Sequence, residues 1–274
     1  MFNLTFANIH IQIFYFVMDI KLYERNRIYI SDEKQGQIKN FRVFLGGAGL
    51  GGNIAEVALR LGFENITIAD GDLVSESNIN RQNYTQKDVG RKKVDVLKER
   101  LLAINPNAQI VAISSFIDMG NVRDLLVGHD VAINAIDFTS NIPFLFDEVC
   151  KELGITVLHP FNVGFAGVVM VVKPDSLSFR RLIDENEDSE LPPEVKAIRY
   201  VVDYFNYWAK PKLWMDDILY QYQKENYATQ PPQLSIASSY IAGMVVSILY
   251  RLATGGFVKV LPKFYYYSEY DDLN

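Results

Sequence analysis

Gly46, Gly49 and Gly51 lie in the stretch GGAGLGGN, which runs straight into a segment of helical spacing. Glycines so placed serve a tight turn, a close backbone approach and helix packing, and the amides opening the next helix, near Gly51 and Gly52, suit phosphate oxygens. Asp70 follows about twenty residues on, where an acid hydrogen-bonds ribose hydroxyls. To this point a dinucleotide and a triphosphate are served equally. The next residues separate them. Asn78, Arg81, Gln82 and Lys93 fall just beyond the ribose acid, and a guanidinium with an ammonium suits a triphosphate, whose charge grows as pyrophosphate leaves. Asp137, closing AINAID, is placed to hold Mg²⁺, which takes one or two carboxylates plus phosphate oxygens.

Each of these residues has a plainer reading. Arg81 and Lys93 could be solvated surface charges, Asp137 could cap the helix after it, and Asn78 could be a turn residue. His159, beside a strand end near the site, reads as a packed histidine. Cys150, on an apolar helical face, reads as core.

The elements that position these residues alternate. FRVFL (41–45) is a short buried strand ending in the glycine turn, and Asn53–Leu61 has helical spacing. NITIADGD is a strand with acids at its carboxyl end, KVDVLKERLLAIN an amphipathic helix, AQIVAIS a strand, NVRDLLVG a helix and DVAINAID a strand ending in an acid. IPFLFDEVCKELG is a helix, followed by strands ITVLHPF and GVVMVVKP. This rhythm, from Phe41 to Lys173, predicts an α/β, Rossmann-like doubly wound, mostly parallel sheet with ligands at the strands' carboxyl ends.

Between Ser176 and Gln233 the rhythm breaks. RRLIDENEDSELPPEV reads as a mobile acidic loop and KAIRYVVDYFNYWAKPKLWMDDILYQYQKE as helical and aromatic. LSIASSYIAGMVVSILYRLATGG is a long apolar helix closed by Gly-Gly; its Ser residues, Arg251 and the strand-like FVKVLPKFYYYSE after it favour a buried domain helix over a membrane span.

The chain of 274 residues is 49% apolar and 22% charged, an ordinary globular balance. A net charge of −6 argues against general nucleic-acid binding. The single cysteine excludes an intrachain disulfide and a four-cysteine zinc site, so no structural zinc is expected, and a reducing cytoplasmic setting fits. Residues 1–22 form an N-terminal extension, either an over-called start with the true one at Met18 or an extra strand from the Ile9, Ile11, Ile13 alternation. The remainder, 23–274, reads as one domain with 176–233 as a variable insertion.

These motifs together resemble the ThiF/MoeB/HesA family, the ubiquitin-activating-enzyme-like adenylyltransferases. GGAGLG is similar to the family's GxGGxG, DGDLVSESNINRQ to D-x-D-x-V-x-x-S-N-x-x-R-Q, VGRKKV to G-x-x-K, and AIDF to the strand ending in the metal-binding Asp. YERNRIYIS resembles the Y-x-R-Q opening, which in dimers of the family sends an arginine into the partner's site; the spacing from Tyr23 favours Arg25 over Arg27. The resemblance implies a homodimer, adds Asp72 to the ATP-binding residues, and implies attack by a carboxylate on the α-phosphate of ATP. The acceptor so implied is a protein or peptide with a C-terminal glycine. A carboxylate is ionised at pH 7 and needs no general base, which fits a chain with three His.

Several departures qualify it. Ala48 replaces a family glycine, Ile142 stands where the family's arginine would be, the paired Cys-x-x-Cys motifs are missing, and no cysteine follows Cys150. Two other readings stay open beside the adenylyltransferase: a partner subunit with weak catalysis, or a dehydratase-like enzyme activating a small carboxylate on tRNA. An NAD-dependent oxidoreductase would leave Arg81 without a task. The aromatics of the insertion, Tyr200, Tyr204, Phe205, Tyr207, Trp208 and Trp214, are expected to divide between core and an acceptor groove, and the acidic run Asp184–Glu190 to favour a basic acceptor.

Overall fold

A computed structural model describes residues 22–184, 191–227 and 230–273. The Ile9–Ile13 alternation and residues 185–190 of the acidic run lie outside them. Seven strands form one sheet in the order β3-β2-β1-β4-β5-β6-β7. They are β1 (Arg42–Gly46), β2 (Asn65–Ala69), β3 (Gln109–Ile113), β4 (Val131–Asn134), β5 (Thr156–Val163), β6 (Ala166–Val172) and β7 (Phe264–Tyr267). The first five run parallel, β6 pairs antiparallel with β5, and β7 pairs antiparallel with β6 at the edge. The expected doubly wound sheet is what the chain builds.

The register places the site. Gly46 pairs with Ala69 on one side and Asn134 on the other, so the glycine turn, Asp70 and the loop to Asp137 leave the sheet side by side. Because β1 lies between β2 and β4, the connections diverge there and open a crevice at the carboxyl ends.

Helix α1 (Asp32–Asn40) precedes β1, and α2 (Leu50–Leu61), α3 (Lys93–Ile104), α4 (Val122–Leu126) and α5 (Ile142–Glu152) connect the strands that follow. Helices α6 (Phe179–Asp184), α7 (Pro193–Trp208), α8 (Leu213–Lys224) and α9 (Ser235–Ala253) precede β7. One face of the sheet packs on α2, α3 and α9 through residues such as Ile54, Leu97 and Val245; the other packs on α5, α6 and α7 through Phe146, Phe179 and Val201. Among the described residues α9 alone is long and apolar enough to cross a membrane. It buries Ala237, Ile241, Val245 and Leu249 against the domain, as a core helix does.

Three sequence expectations need correction. Helix α2 starts at Leu50 and not at Asn53, because the chain turns helical inside the glycine run. Residues 180–184 and 193–195 of the stretch read as an acidic loop are helical, the first in α6 and the second opening α7: Leu182 and Ile183 are buried with Phe179 at helical spacing, a signal that the charged residues masked. Only Phe264–Tyr267 of FVKVLPKFYYYSE is strand; Pro262 has no N–H for a ladder, and pairing begins beyond it.

Candidate nucleotide site

The glycine turn is built by close approach. Gly47 has φ +100°, donates to Ala69 O at 2.9 Å, and a Cβ there would lie 2.5 Å from Ala135 O. No side chain fits. A Cβ on Gly49 would meet Gln82 Nε2 at 2.8 Å, and one on Gly46 would press on Ile117, Phe146 and Ile136 at 3.2–3.3 Å. At Gly51 the nearest atom would be 3.6 Å away, an ordinary contact. Gly47, which sequence reasoning passed over, is therefore the position of greatest constraint.

Asp70 sits against this turn. One of its oxygens accepts from Ala48 N and the other from Asp72 N, both at 2.7 Å. Each oxygen keeps a second lone pair, so the orientation suits a ribose hydroxyl as well. Asp72 pairs with Lys93 at 2.8 Å, and Lys93 N donates to Asp72 O at 3.0 Å. The Lys93 side chain is 8% exposed against 49% for Asp72, so the cation is held inward and its partner faces solvent.

Arg81 crosses the mouth of the crevice. Its Nη1 donates to Ser77 O at 2.7 Å and Asn80 Oδ1 at 2.9 Å, and its Nε donates to Gln233 Oε1 at 2.6 Å. Burial lowers the Arg81 pKa, opposed by the charge of Asp137. Asp137 lies in the loop beyond β4. Burial raises its pKa from the ordinary carboxylate value; Asp72 and Asp70 push the same way, and Lys93 and Arg81 oppose them. Asp70, Asp72, Arg81, Lys93 and Asp137 thus share one electrostatic neighbourhood.

The scaffold beneath them went unseen in the sequence. Asn53 Nδ2 donates to Arg81 O at 3.1 Å, and its Oδ1 accepts from Asn83 N at 3.1 Å. One turn along α2, Glu56 accepts from Asn83 Nδ2, Arg60 and Arg100. The buried Tyr84 hydroxyl donates to Ala48 O at 2.9 Å, tying the Arg81 loop to the glycine turn. Asn53 and Glu56 did leave a signal: both are polar residues on a helix that is otherwise apolar up to Leu59.

The remaining candidates are placed as follows. Asn78 Oδ1 accepts from Ser75 N at 3.0 Å in a reciprocal cap, which shapes the loop that carries Arg81. Gln82 keeps a buried Oε1 without a hydrogen-bond partner beside Gly49. Cys150 is fully buried, and burial raises its thiol pKa. His159 is 1% exposed and stacks on Phe179 at 4.5 Å; its Nε2 lies 2.9 Å from Asp147 Oδ2 at angles unlike those of a hydrogen bond.

Arg25 is far from this crevice within its own chain. Tyr23 Oη donates to Leu59 O and Asn26 Nδ2 to Leu61 O, so the segment is tied to the carboxyl end of α2, opposite the glycine turn. Twelve helical residues separate the two ends, about 18 Å. A groove of about 520 Å³ lined by Tyr29, Val57, Arg60, Gly243 and Tyr250 lies at that far end.

The aromatics of 176–233 divide. Phe205 packs on Tyr266 with centroids 4.7 Å apart, Trp214 donates to Asp271 at 2.8 Å, and Tyr200 donates to Pro262 O at 2.8 Å. Tyr207 and Trp208 are 80% and 81% exposed at the end of α7.

The residues gathered here suit a nucleoside triphosphate. They offer a turn that admits no side chain at Gly47, two cations for phosphate oxygens, one shielded carboxylate and, in Gln82 Oε1, an unsatisfied acceptor for a hydroxyl or amino group. Among the described residues no three His, Cys, Asp or Glu side chains gather to hold a metal alone; a Mg²⁺ ion shared between Asp137 and phosphate oxygens does not require such a group.

The chain is 28% identical over 169 residues to the SAMP-activating enzyme E1 of Haloferax volcanii, covering 60% of this chain and 62% of that one. It is 31% identical over 160 residues to the sulfur carrier protein ThiS adenylyltransferase of Bacillus subtilis, covering 56% and 47%. It is 37% identical over 95 residues to the tRNA threonylcarbamoyladenosine dehydratase of Escherichia coli, covering 34% and 35%. The matched stretch thus spans less than two thirds of each relative. Among solved structures, PaaA superposes with a TM-score of 0.67 at 21% identity, covering 93% of this chain and 80% of that one. ATP-bound E. coli MccB gives 0.62 at 16%, covering 86% and 66%. Those two likenesses show the shared fold. The ThiF family model matches residues 23–272, nearly the whole sequence, and the chain belongs to the ThiF family.

Proposed function

We propose that the protein is an ATP-dependent adenylyltransferase. A carboxylate oxygen of the acceptor forms the new bond to the α-phosphorus, the bond to the bridging oxygen breaks, and pyrophosphate leaves with the electron pair. The products are an acyl-adenylate and pyrophosphate. What supports this reading most is the convergence of Arg81, Lys93 and Asp137 on a turn that excludes side chains.

The ribose hydroxyls fall to Asp70, and the phosphates to the amides at the start of α2 together with Lys93 and Arg81. Asp137 would hold Mg²⁺, which when bound offsets phosphate charge. ATP entry draws Lys93 away from Asp72, whose exposed carboxylate is then solvated. In-line transfer needs positioning and cations and no proton acceptor, because the nucleophile is already ionised.

The acceptor in this reading is the C-terminal carboxylate of a small carrier protein or peptide, and names such as ThiS adenylyltransferase among the relatives support it. The protein acts in the cytoplasm as a homodimer, with Arg25 completing the neighbour's site because its own lies a helix length away. The dehydratase among the relatives gives a second reading, with a small carboxylate on tRNA as acceptor; the net charge of −6 weighs against it. The test is ATP–pyrophosphate exchange with candidate proteins ending in Gly-Gly. Exchange that depends on such a protein supports the proposal. Exchange driven by modified tRNA alone would move it to the dehydratase class, and absence of ATP binding would overturn it.

A further inference from the structure

Arg81 is held from two sides that lie far apart in the chain. On one side its own loop grips it through Ser77 O and Asn80 Oδ1, and Asn53 holds its backbone. On the other, Nε donates at 2.6 Å to Gln233, 152 residues away. Gln233 follows Pro231 and Pro232, whose fixed φ angles restrict the chain that delivers it. The next residue, Leu234, is clamped in turn: Asn162 Nδ2 donates to Leu234 O at 2.8 Å, and Leu234 N donates to Asn162 Oδ1 at 3.3 Å. Asn162 also receives Gly164 N and donates to Ser238 Oγ, so this anchor is rooted at the carboxyl end of β5. A continuous path runs from β5 through Asn162, Leu234 and Gln233 to the guanidinium at the nucleotide crevice. Residues 230–234 also lead into α9.

We infer that Gln233 is a positioning residue that sets the orientation of Arg81 and couples nucleotide binding to the 230–234 linker. The inference rests on the adenylation reading. An acceptor amide on Nε fixes the plane of the guanidinium while leaving Nη2 for phosphate oxygens. Phosphates that draw Arg81 inward must then pull on the linker, and whatever displaces the linker must change nucleotide affinity by the same factor, because such coupling is reciprocal.

The test uses the full chain with ATP and Mg²⁺ alone. ATP should change amide hydrogen exchange at 233–238 in the parent protein. Gln233→Leu should weaken ATP binding about 5-fold or more and abolish that change, and Gln233→Glu, which keeps an acceptor for Nε, should retain it. In an Arg81→Lys background, which lacks Nε, Gln233→Leu should weaken ATP no further; additive losses would mean that Gln233 acts independently of Arg81 and would overturn the coupling. Should Gln233→Leu fail to fold, Asn162→Ala loosens Leu234 while leaving both partners of the bond, and the ATP-dependent change at 233–238 should then grow. An unchanged response there, or parent protein that binds ATP with no response in the linker, also overturns the coupling. A parent chain that binds no ATP removes the adenylation reading, and the inference falls with it.

Discussion

Around the glycine turn, polar groups are fixed by backbone partners: Asp70 by the amides of Ala48 and Asp72, Tyr84 by Ala48 O, Asn53 by Arg81 O and Asn83 N. Helices α7 and α8 are fastened by apolar side chains, aliphatic ones such as Val201 and Met215 beside rings such as Phe205, and Tyr207 and Trp208 remain open to solvent. Backbone partners fix direction as well as distance, which suits a ligand with charges at set positions. Rings on helices give contact area with latitude in direction, which suits a chain laid across them. One side of the molecule is preorganised and the other adaptable.

The largest expected effect lies on the preorganised side. Arg81→Ala or Lys93→Ala should lower pyrophosphate exchange about 100-fold or more while melting stays near that of the parent, since Asp72 is solvated once Lys93 is gone. Parent-like turnover in both variants would remove these residues from the site.

Next comes the crossing between chains. Arg25→Ala and Asp137→Ala chains, each inactive alone, should regain about a quarter of the parent's sites when mixed equally, through hybrids with one whole site. If an isolated monomer turns over at the parent's rate, Arg25 has no such task.

The adaptable side should respond differently. Tyr207→Ser combined with Trp208→Ser should leave ATP affinity and melting unchanged and raise the KM of whichever acceptor drives exchange about 10-fold. A loss of stability instead would place these rings in packing, and the contrast between the two sides would weaken.

The smallest effect is on stability. The Asp137 pKa is raised by burial, so the folded state binds its proton more tightly than the unfolded chain. Its contribution to stability is full below the ordinary carboxylate pKa and is lost as pH rises through the raised value. Asp137→Asn, neutral throughout, should therefore raise the melting temperature of the ATP-free protein at pH 7 by about 1–3 °C and have no effect near pH 3. Equal melting at both pH values would mean that the carboxylate carries no strain in the ATP-free site.

Motif positions were readable because Asp70 and Asp137 follow strand ends and Lys93 opens a helix in an order the alternating pattern gives, and Arg81 lies in the loop between Asp70 and Lys93. The fold was readable for the same reason, from FRVFL through GVVMVVKP. What stayed hidden depends on contacts remote in sequence. Gly47 looks like its neighbours in GGAG until Ala135 O approaches it, and Gln233 sits in a linker with no periodicity. Asn53 and Glu56 were in view as polar interruptions of an apolar helix. Their partners, Arg81 and Asn83, lie some 27 or 28 residues away, beyond any local pattern.

Helix α2 presents the glycine turn at one end and holds Tyr23 and Asn26 at the other. If the arginine beside that tether serves a neighbouring chain, turnover becomes a matter of mass action. Dilution below the dimer's dissociation constant would make the rate fall with the square of chain concentration, and an excess of Asp137→Ala chains would reverse that fall by lending their arginine to the intact site.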